Sequence, residues 1–406
     1  MKLNDIAEFV TDKISSSSIS LENYVTTDSL LQNKRGRETA QNLPPMLCAL
    51  THYKRGDVLV ANIRPYLKKV WFADSEGGCS SDVLVFRAKN GHYPSFLYTV
   101  LIQDAFFDYA MSEAKGSKMP RGDKDQIMRY ELPTFTSLEE ENIGNIMVDI
   151  MSKINVNRLI NDNLEAMAKQ LYDYWFVQFD FPNEESKPYK SNGGAMVWNE
   201  KLKREIPQGL DTPKIGDIEK NIITGKTPSC ADEDNFGGDI PFVTIDDIRG
   251  NLFVFEAQRT LSTKGADSQE KKYLPIGSLS VSCIGTIGVM GFVARLAQTN
   301  QQINSIVFEH EYNKEFLYFS LKLYYENAKA KTGNVFANMS KEEFASIIVA
   351  YPPKQILQAF HNKVAPIFNS IKNNTEEINS LTKQRDELLP LLMNGQATVN
   401  YHLSDD

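Results

Sequence analysis

The sequence predicts a mixed α/β protein in which two similar domains, related by pseudo-twofold symmetry, are joined by two long helices that pair as an antiparallel coiled coil. Three observations predict this architecture. A chain of 406 residues exceeds one ordinary hydrophobic core, so two domains are expected. An ordered series of short motifs recurs about 220 residues further on, and each copy is followed by a long stretch with helical periodicity.

The repeat begins with a short apolar run behind a turn glycine. Residues 56–63 (GDVLVANI) reappear as residues 277–284 (GSLSVSCI), and both runs are typical of strands. The tripeptide Phe-Leu-Tyr at 96–98 recurs at 316–318. Further matches in chain order are 3–6 with 215–218, 115–116 with 331–333, and 130–133 with 350–352. One match could be coincidence, but an ordered series with a slowly drifting shift indicates a tandem duplication.

The two helical stretches, 138–176 and 354–395, carry apolar residues at spacings of three and four. A shift of 217 places the two seams in register over about five heptads, which favours a coiled coil. The alternative is that each helix is amphipathic and lies only on its own domain. Asn157 and Asn374 occupy the same seam position, where a polar residue commonly specifies register. The predicted seam positions are Ile143, Ile150, Asn157, Leu164, Leu171, Phe360, Ile367, Asn374, Leu381 and Leu388.

These features divide the chain into six predicted segments. The Pro-, Gly- and Ser-rich stretch 181–212 is expected to be the return connection between the copies. The segments are a first domain 1–135, a central spacer helix 136–180, a connector 181–212, a second domain 213–353, a C-terminal spacer helix 354–396 and a tail 397–406.

Composition and motifs exclude several functional classes. The four cysteines and five histidines are scattered without ligand spacing, so no metal site is expected and the thiols should be reduced, as in a cytosol. No apolar run is long enough to span a membrane, and no secretory leader is recognisable. Thr224-Gly225-Lys226-Thr227 supplies only half of a phosphate-binding loop. With no catalytic motif recognisable, a binding protein without a catalytic site is expected.

The formal net charge of −8 argues against strong DNA binding by the whole chain, but the first domain is nearly neutral, with 17 Lys and Arg against 16 Asp and Glu. Basic clusters fall on predicted loops and could hold phosphates or read base edges. The plain alternative for each residue is a solvated surface charge. The candidates for DNA binding are Lys34, Arg35, Arg37, Arg64, Lys68, Lys69, Lys118, Arg121, Lys124, Lys226, Thr227, Arg249, Lys271, Lys272, Lys331 and Asn334.

Motifs in the second domain resemble those of the specificity subunits of type I restriction-modification systems. Residues 223–228 (ITGKTP) and 236–248 (FGGDIPFVTIDDI) look like the opening motifs of that family. Residues 283–288 (CIGTIG), followed by Asn300-Gln301-Gln302, look like its next element. The first domain departs from the pattern, because Asn62-Ile63-Arg64-Pro65-Tyr66 stands where the glycine-rich motif is expected.

The resemblance implies that each domain is a target recognition domain reading one half of an asymmetric, bipartite DNA site, with the helices setting the distance between the halves. It also implies partners: two methyltransferase subunits that methylate adenine, and restriction and translocase subunits. S-adenosylmethionine, ATP and Mg²⁺ would bind those partners, and no cofactor is expected on this chain, which would act in the cytoplasm. Three alternatives remain: an enzyme with diverged motifs, a coiled-coil protein scaffold, and the recognition subunit of another phage-defence system.

Overall fold

The computed structural model describes residues 1–114, 116, 118–332 and 338–399, with only the backbone of 331 and 332. The chain folds as two compact units. The first unit comprises Met1–Asn157 and Glu377–Asp406, and the second comprises Arg158–Glu376. The division between the units therefore falls within both long helices.

The first unit is a mixed α/β fold with two four-stranded sheets. The larger sheet has the order β1-β8-β5-β6, and the smaller has the order β2-β4-β7-β3. The elements are α1 (Leu3–Ile6), β1 (Ala7–Phe9), β2 (Lys13–Ser15), β3 (Tyr24–Val25), β4 (Ala49–Tyr53), β5 (Val58–Ala61), β6 (Val70–Phe72), β7 (Gly77–Cys79), β8 (Val83–Ala88), α2 (Pro94–Leu101), α3 (Asp104–Ser112), α4 (Lys124–Ile127) and the start of α5 (Ser137–Tyr172).

The second unit has a five-stranded sheet, a three-stranded sheet and a hairpin. Its elements are β9 (Met196–Asn199), β10 (Arg204–Pro207), α6 (Ile215–Ile218), β11 (Ile222–Thr224), β12 (Phe236–Val243), α7 (Ile245–Ile248), β13 (Phe253–Val254), β14 (Thr260–Leu261), α8 (Thr263–Asp267), β15 (Leu279–Ser282), β16 (Met290–Val293), β17 (Gln298–Thr299), β18 (Ile303–Ile306), α9 (Lys314–Thr332), α10 (Lys341–Ala345) and α11 (Lys354–Met393). The larger sheet has the order β11-β18-β15-β16-β13.

The duplication predicted from the sequence is confirmed by this topology. Four strands of the larger sheet correspond one to one between the units: the order β1-β8-β5-β6 in the first unit matches the order β11-β18-β15-β16 in the second. The repeated apolar runs become β5 and β15, and all four side chains of each strand are buried. Such continuous burial explains why these runs are apolar or small throughout instead of alternating.

The smaller sheets are less alike. Each contains a two-residue parallel pair, β3 with β7 in the first unit and β12 with β17 in the second. In the first unit β4 joins this pair through β7, whereas in the second β14 joins it through β12. The duplicated units thus share the larger sheet and differ in the smaller one.

Within the first unit, the two long helices pack antiparallel. Arg385 of α11 donates to the Sδ atom of Met151 of α5 over 3.5 Å, and Asn157 donates to Glu377 over 2.7 Å. Ile143 and Met147 from α5 share one hydrophobic core with Leu389 and the domain strands. The core of the first unit therefore combines segments that precede and follow the second unit in the chain.

Within the second unit the same two helices again pack antiparallel. Asn374 donates to Asn161 over 2.9 Å, and Tyr172 packs against Phe360. Continued pairing along both helices agrees with the predicted coiled coil rather than with two separate amphipathic helices. Helix α5 ends in a π-helical turn, Asp173–Val177, where Trp175 and Phe176 join the core.

All ten predicted seam side chains are buried or half-buried. Ile143, Asn157 and Phe360 are buried, and Ile150, Leu164, Leu171, Ile367, Asn374, Leu381 and Leu388 are half-buried. Asn157 pairs with Glu377, and Asn374 pairs with Asn161. The two seam asparagines therefore hydrogen-bond to polar groups on the opposite helix, one in each unit.

The connector is more ordered than a Pro-, Gly- and Ser-rich stretch suggests. β9 and β10 form an antiparallel hairpin, and Ile206 of β10 is buried in the core of the second unit. The preceding segment is fastened by Asp180, which accepts hydrogen bonds from the backbone and hydroxyl of Ser191. Among the described residues, no helix is both long and apolar enough to cross a membrane.

Candidate nucleic-acid interface

Two turns of the first unit lie side by side, and both carry predicted DNA-binding lysines. Asn33 and Lys34 donate their backbone N–H groups to the carbonyl oxygens of Leu67 and Lys68, over 2.9 and 2.8 Å. Below these turns Asp104, the first residue of α3, accepts from Lys34 at 2.7 Å and from Lys68 at 2.9 Å. The structure thus brings Lys34 and Lys68 together around one carboxylate.

Lys34 does not fit the predicted role. Its side chain is only 6% exposed, and burial lowers the pKa of its ammonium group, an effect that the carboxylate of Asp104 only partly offsets. Burial alone would raise the pKa of Asp104, but the two ammonium groups lower it. Lys34 is therefore a structural residue that holds the two turns on α3, and it cannot contact a phosphate without leaving its site.

The other cations of this region differ in their exposure and in the contacts that hold their side chains. Arg37 lies over the ring of Trp71, with 4.4 Å from Cζ to the ring centroid, and donates to the carbonyl oxygen of Glu22. Lys69 is half-buried and donates to the carbonyl oxygen of Thr27. Arg35 is exposed, with no hydrogen bond or ion pair to the residues that the structure describes. Of these three, Arg35 is the most available to a phosphate.

A neighbouring loop supplies further exposed cations. Lys118, Arg121 and Lys124 are all exposed. Arg121 forms an ion pair with Asp82 at 3.0 Å, and its backbone bridges to Ile63. Lys124 begins α4 and lies 6.0 Å from the ring centroid of Phe9. The repeated residue Lys115 lies outside the described residues, but Lys118 and Arg121 border the turn that carries Arg64.

In the second unit, the Gly225-Lys226-Thr227 loop is fastened against the turn that joins β17 and β18. Gly225 and Lys226 donate their N–H groups to the carbonyl oxygens of Ile303 and Thr299. A side chain at Gly225 would overlap Thr299, so only glycine allows this approach. The loop therefore holds Lys226 exposed on an ordered backbone.

Thr227 organises the polar surface beside Lys226. Its hydroxyl donates to the Oε1 atom of Gln301 over 2.7 Å. Gln301 is exposed, so its amide N–H₂ group remains available to a ligand. Gln301 was not predicted as a site residue from the sequence. The Asn300-Gln301-Gln302 motif, which resembles a motif of the family, is the sequence feature that could have indicated it.

Lys271 and Lys272 are adjacent in sequence but have different surroundings. Lys272 is half-buried and donates to the carbonyl oxygen of Thr224 over 2.8 Å. Lys271 is exposed. The buried Gln269 links this segment to the Lys226 loop by donating to the carbonyl oxygen of Lys226 over 2.7 Å. Lys272 and Gln269 therefore support the loop, while Lys271 faces solvent.

Arg249 lies next to the glycine-rich turn of the second unit. Its guanidinium approaches Thr286 at 3.4 Å and Asp246 at 3.7 Å, and more than half of its side chain is exposed. Both contacts are long, so Arg249 can turn towards a ligand at little cost. Two remaining candidates, Asn334 and the side chain of Lys331, lie outside the described residues.

In each unit, loops next to the buried larger sheet carry polar and cationic side chains. Among the described residues no group of three or more His, Cys, Asp or Glu side chains is placed to hold a metal ion. What these loops offer is a set of hydrogen-bond donors and positive charges of the type that contacts phosphates and base edges. The assignment of individual residues to DNA stays a prediction.

The fold and these loops define a class of duplicated recognition proteins, whose two units present different polar surfaces on a common sheet. Residues 207–384 match the family model described as type I restriction modification DNA specificity domain. This match confirms, for that region, the predicted resemblance to the specificity subunits of type I restriction-modification systems.

Curated relatives are similar to nearly the whole chain. The specificity subunit of the type I restriction enzyme HindI from Haemophilus influenzae is 28% identical, over 97% of this chain and 98% of the relative. That of MjaIX from Methanocaldococcus jannaschii is 23% identical, over 87% and 80%. The crystal structure of the type I S subunit from M. genitalium superposes with a TM-score of 0.58 at 15% identity, covering 97% of this chain and 95% of that one, which shows a shared fold.

Proposed function

We propose that this chain is the sequence-reading subunit of a type I restriction-modification complex, in which each unit contacts one half of an asymmetric, bipartite DNA site. The observation that carries this proposal is the duplicated sheet with two different loop surfaces. A shared scaffold places the loops alike, and different side chains on them would read different base sequences. Sequence-specific DNA recognition is also the function of the matched family domain.

The free cations support a DNA-facing role for these loops. Arg35, Arg64 and Lys118 in the first unit are exposed, as are Lys226 and Lys271 in the second. They would neutralise phosphates and fix the position of each unit on the duplex. Because the chain carries a net charge of −8, partner subunits would supply much of the remaining phosphate contact.

The partners we propose are two methyltransferase subunits and restriction and translocase subunits. Helix α5 carries an exposed apolar face in the second unit, with Leu159 63% and Met167 57% exposed and Ile160 beside them. Such a face on a helix would be covered by an apolar partner surface, and we assign it to a methyltransferase subunit. Adenine methylation, S-adenosylmethionine, ATP and Mg²⁺ would belong to the partners, and the complex would act in the cytoplasm.

The test is a genome-wide map of methylated adenines in cells with and without this chain, supplied with a type I methyltransferase subunit from the same organism. One bipartite motif should be methylated only when the chain is present. A control with the methyltransferase subunit alone should leave that motif unmethylated. If no motif depends on the chain, the recognition role is wrong, and the protein scaffold becomes the better interpretation.

The same map tests whether the long helices set the spacing of the half-sites. A matched insertion of four residues in α5 and in α11 lengthens each helix by about 6 Å. That length is roughly two base pairs along the duplex. The unspecified spacer of the motif should lengthen accordingly while both half-sites stay the same. An unchanged spacer would exclude the proposed role of the helices.

A further inference from the structure

One turn of the larger sheet occurs in both units with the same backbone hydrogen bonds. In the first unit Ala61 donates its N–H group to Lys69, and Gly122 donates to Asn62. In the second unit Ser282 donates to Val289, and Met339 donates to Cys283. The isolated bridges Ile63 to Arg121 and Ile284 to Asn338 also correspond. The turn at 62–69 is therefore the structural counterpart of the glycine-rich turn at 283–289.

The two turns differ at the residues with left-handed backbone conformation. In the second unit these residues are Gly285, with φ of 79°, and Gly288, with φ of 82°. In the first unit the corresponding residues are Arg64, with φ of 54°, and Lys68, with φ of 50°. Glycine adopts this conformation without cost, but other residues are strained there and are retained where their side chains have a use.

One of these two side chains, that of Lys68, has its partner within the protein. Lys68 forms the ion pair with Asp104 that fastens the turn to α3. Arg64 is different, because its side chain is exposed and has no hydrogen bond or ion pair with the residues that the structure describes. The Arg64 guanidinium is therefore available to a ligand outside the chain.

The same turn presents an aromatic ring. Tyr66 is 50% exposed, while the preceding Pro65 is buried and anchors the turn. Arg64 donates its backbone N–H group to Pro120 over 2.8 Å, and the carbonyl of Leu67 accepts from Asn33. The Tyr66 ring is therefore exposed on a backbone that is held on both sides. The turn of the second unit is one residue shorter and has Thr286 and Ile287, neither of them aromatic, between its two left-handed glycines.

We propose that Arg64 and Tyr66 form a DNA-contacting turn that is specific to the first unit. The Tyr66 ring stacks on a base that is unstacked where the first unit distorts its half-site, and the Arg64 guanidinium contacts the adjacent phosphate. This proposal rests on the proposed function and names residues that carry it. DNA is favoured because segment 54–69 holds five cations against the single carboxylate of Asp57, and a guanidinium beside an exposed ring matches a phosphate beside a base.

The glycine-rich turn of the second unit supports a different mode of contact there. A Cβ atom at Gly285 would come no nearer than 4.0 Å to a neighbouring group, the Gln302 amide, so its conformation rather than crowding favours glycine. Gly285 and the short, exposed Thr286 beside it present little side-chain bulk, which allows a nucleic-acid backbone to approach closely. The first unit would thus insert side chains where the second unit offers backbone.

The experiment uses the full chain in complex with its methyltransferase subunit and a duplex that contains the mapped motif. Dissociation constants and thermal midpoints are measured for the unaltered complex, Tyr66→Ala, Tyr66→Phe, Arg64→Gly and the control Trp198→Ala. Trp198 is another exposed aromatic residue, on the connector hairpin. A 2-aminopurine probe is placed in each half-site in turn.

Tyr66→Ala should weaken binding about ten-fold, and Tyr66→Phe should retain most of it, because stacking needs the ring. The fluorescence of 2-aminopurine should change in one half-site only. Arg64→Gly should weaken binding without lowering the thermal midpoint, because glycine relieves the backbone strain. Trp198→Ala should bind like the unaltered complex.

Unchanged binding of both Tyr66→Ala and Arg64→Gly would overturn the proposal. So would a loss of complex assembly in size-exclusion chromatography, because that result places the turn against a protein partner. If the unaltered complex bound no motif, the proposed function itself would fail and this proposal with it. If the unaltered complex binds and the variants match it, only the present proposal fails.

Discussion

Asn374 of α11 donates a hydrogen bond of 2.9 Å to Asn161 of α5, between two helices that run antiparallel within the second unit. Asn161 in turn donates to the hydroxyl of Thr375 over 3.3 Å. Polar side chains in a helical seam lower stability but penalise shifted registers, in which they would face apolar neighbours. These hydrogen bonds between polar residues of the seam therefore specify the register in which the two helices pair.

The Asn161–Asn374 pair predicts opposite effects for single and double substitutions. Asn374→Leu should lower the free energy of unfolding by about 1–2 kcal/mol, because the amide oxygen of Asn161 loses its donor. Replacing both asparagines by leucine should recover or exceed the original stability. Urea unfolding followed by circular dichroism measures both. Asn373→Leu, at the adjacent position, is the control and should stay near the unaltered value; equal losses in all variants would contradict the prediction.

Close packing at Gly144 predicts that alanine is destabilising there. A Cβ atom at this position of α5 would lie 2.6 Å from the backbone nitrogen of Phe96, and closer still to the hydroxyl of Ser95. Alanine favours helices over glycine by about 1 kcal/mol, but forcing α5 away from α2 should cost about 1–3 kcal/mol. Gly144→Ala should therefore lower the urea midpoint. Asn145→Ala, at the next and exposed position, tests helix propensity alone, and a stabilised Gly144→Ala would refute the packing argument.

The ion pair between His361 and Glu315 predicts a pH-dependent contribution to the second unit. Nδ1 of His361 lies 2.7 Å from the carboxylate, and this hydrogen bond raises the pKa of the imidazole above its ordinary 6.5. The ion pair contributes its full stabilisation below pH 6.5, where the imidazole is charged in both the folded and the unfolded protein. This contribution is lost as the pH rises through the raised pKa of the folded protein. The thermal midpoint difference between the unaltered protein and Glu315→Gln should therefore shrink as pH increases.

The neighbouring His310 provides the control for this titration. It is exposed, and its ring stacks on Tyr312 with 5.1 Å between the ring centroids. Its replacement by glutamine leaves the pair of His361 and Glu315 intact, so the effect of Glu315→Gln should shrink with pH in that background as well. A difference for Glu315→Gln that grows with pH would reverse the predicted sign and exclude the ion pair as its source.

Two lysines that look alike in the sequence should behave differently in the complex with DNA. Lys226→Ala removes an exposed cation and should reduce the salt dependence of DNA binding by about 0.9 in the logarithmic slope, with little change in stability. Lys34→Ala removes a buried partner of Asp104 and should cost about 1–3 kcal/mol of stability without changing that slope. Thermal unfolding and binding at several salt concentrations separate the two effects. The reverse pattern would restore Lys34 as a phosphate contact.

The duplication and the paired helices could be predicted from the sequence because both are repetitive. The runs that become β5 and β15 are recognisable as apolar segments behind a turn glycine, and the helical seams are in register. Length and periodicity are the strongest signals that a single sequence contains. The hairpin in the connector was not predicted, because its strands are short and follow a segment rich in turn residues.

The candidate interface could be predicted only in part, because sequence does not distinguish a buried cation from an exposed one. Lys34 belongs to a basic cluster, and its burial depends on Asp104, which is distant in the chain. Gln301 is placed by a contact with Thr227 that is equally remote in sequence. The left-handed conformation of Arg64 is likewise invisible in a sequence, since glycine is the residue that normally marks it.

The shared use of α11 has a consequence for the order in which the protein can fold. Leu389, Leu392 and Met393 complete the core of the first unit, yet they follow the whole second unit in the chain. Domains commonly fold one after another as the chain leaves the ribosome. Here the unit that begins first keeps part of its apolar surface uncovered until the second unit has been synthesised.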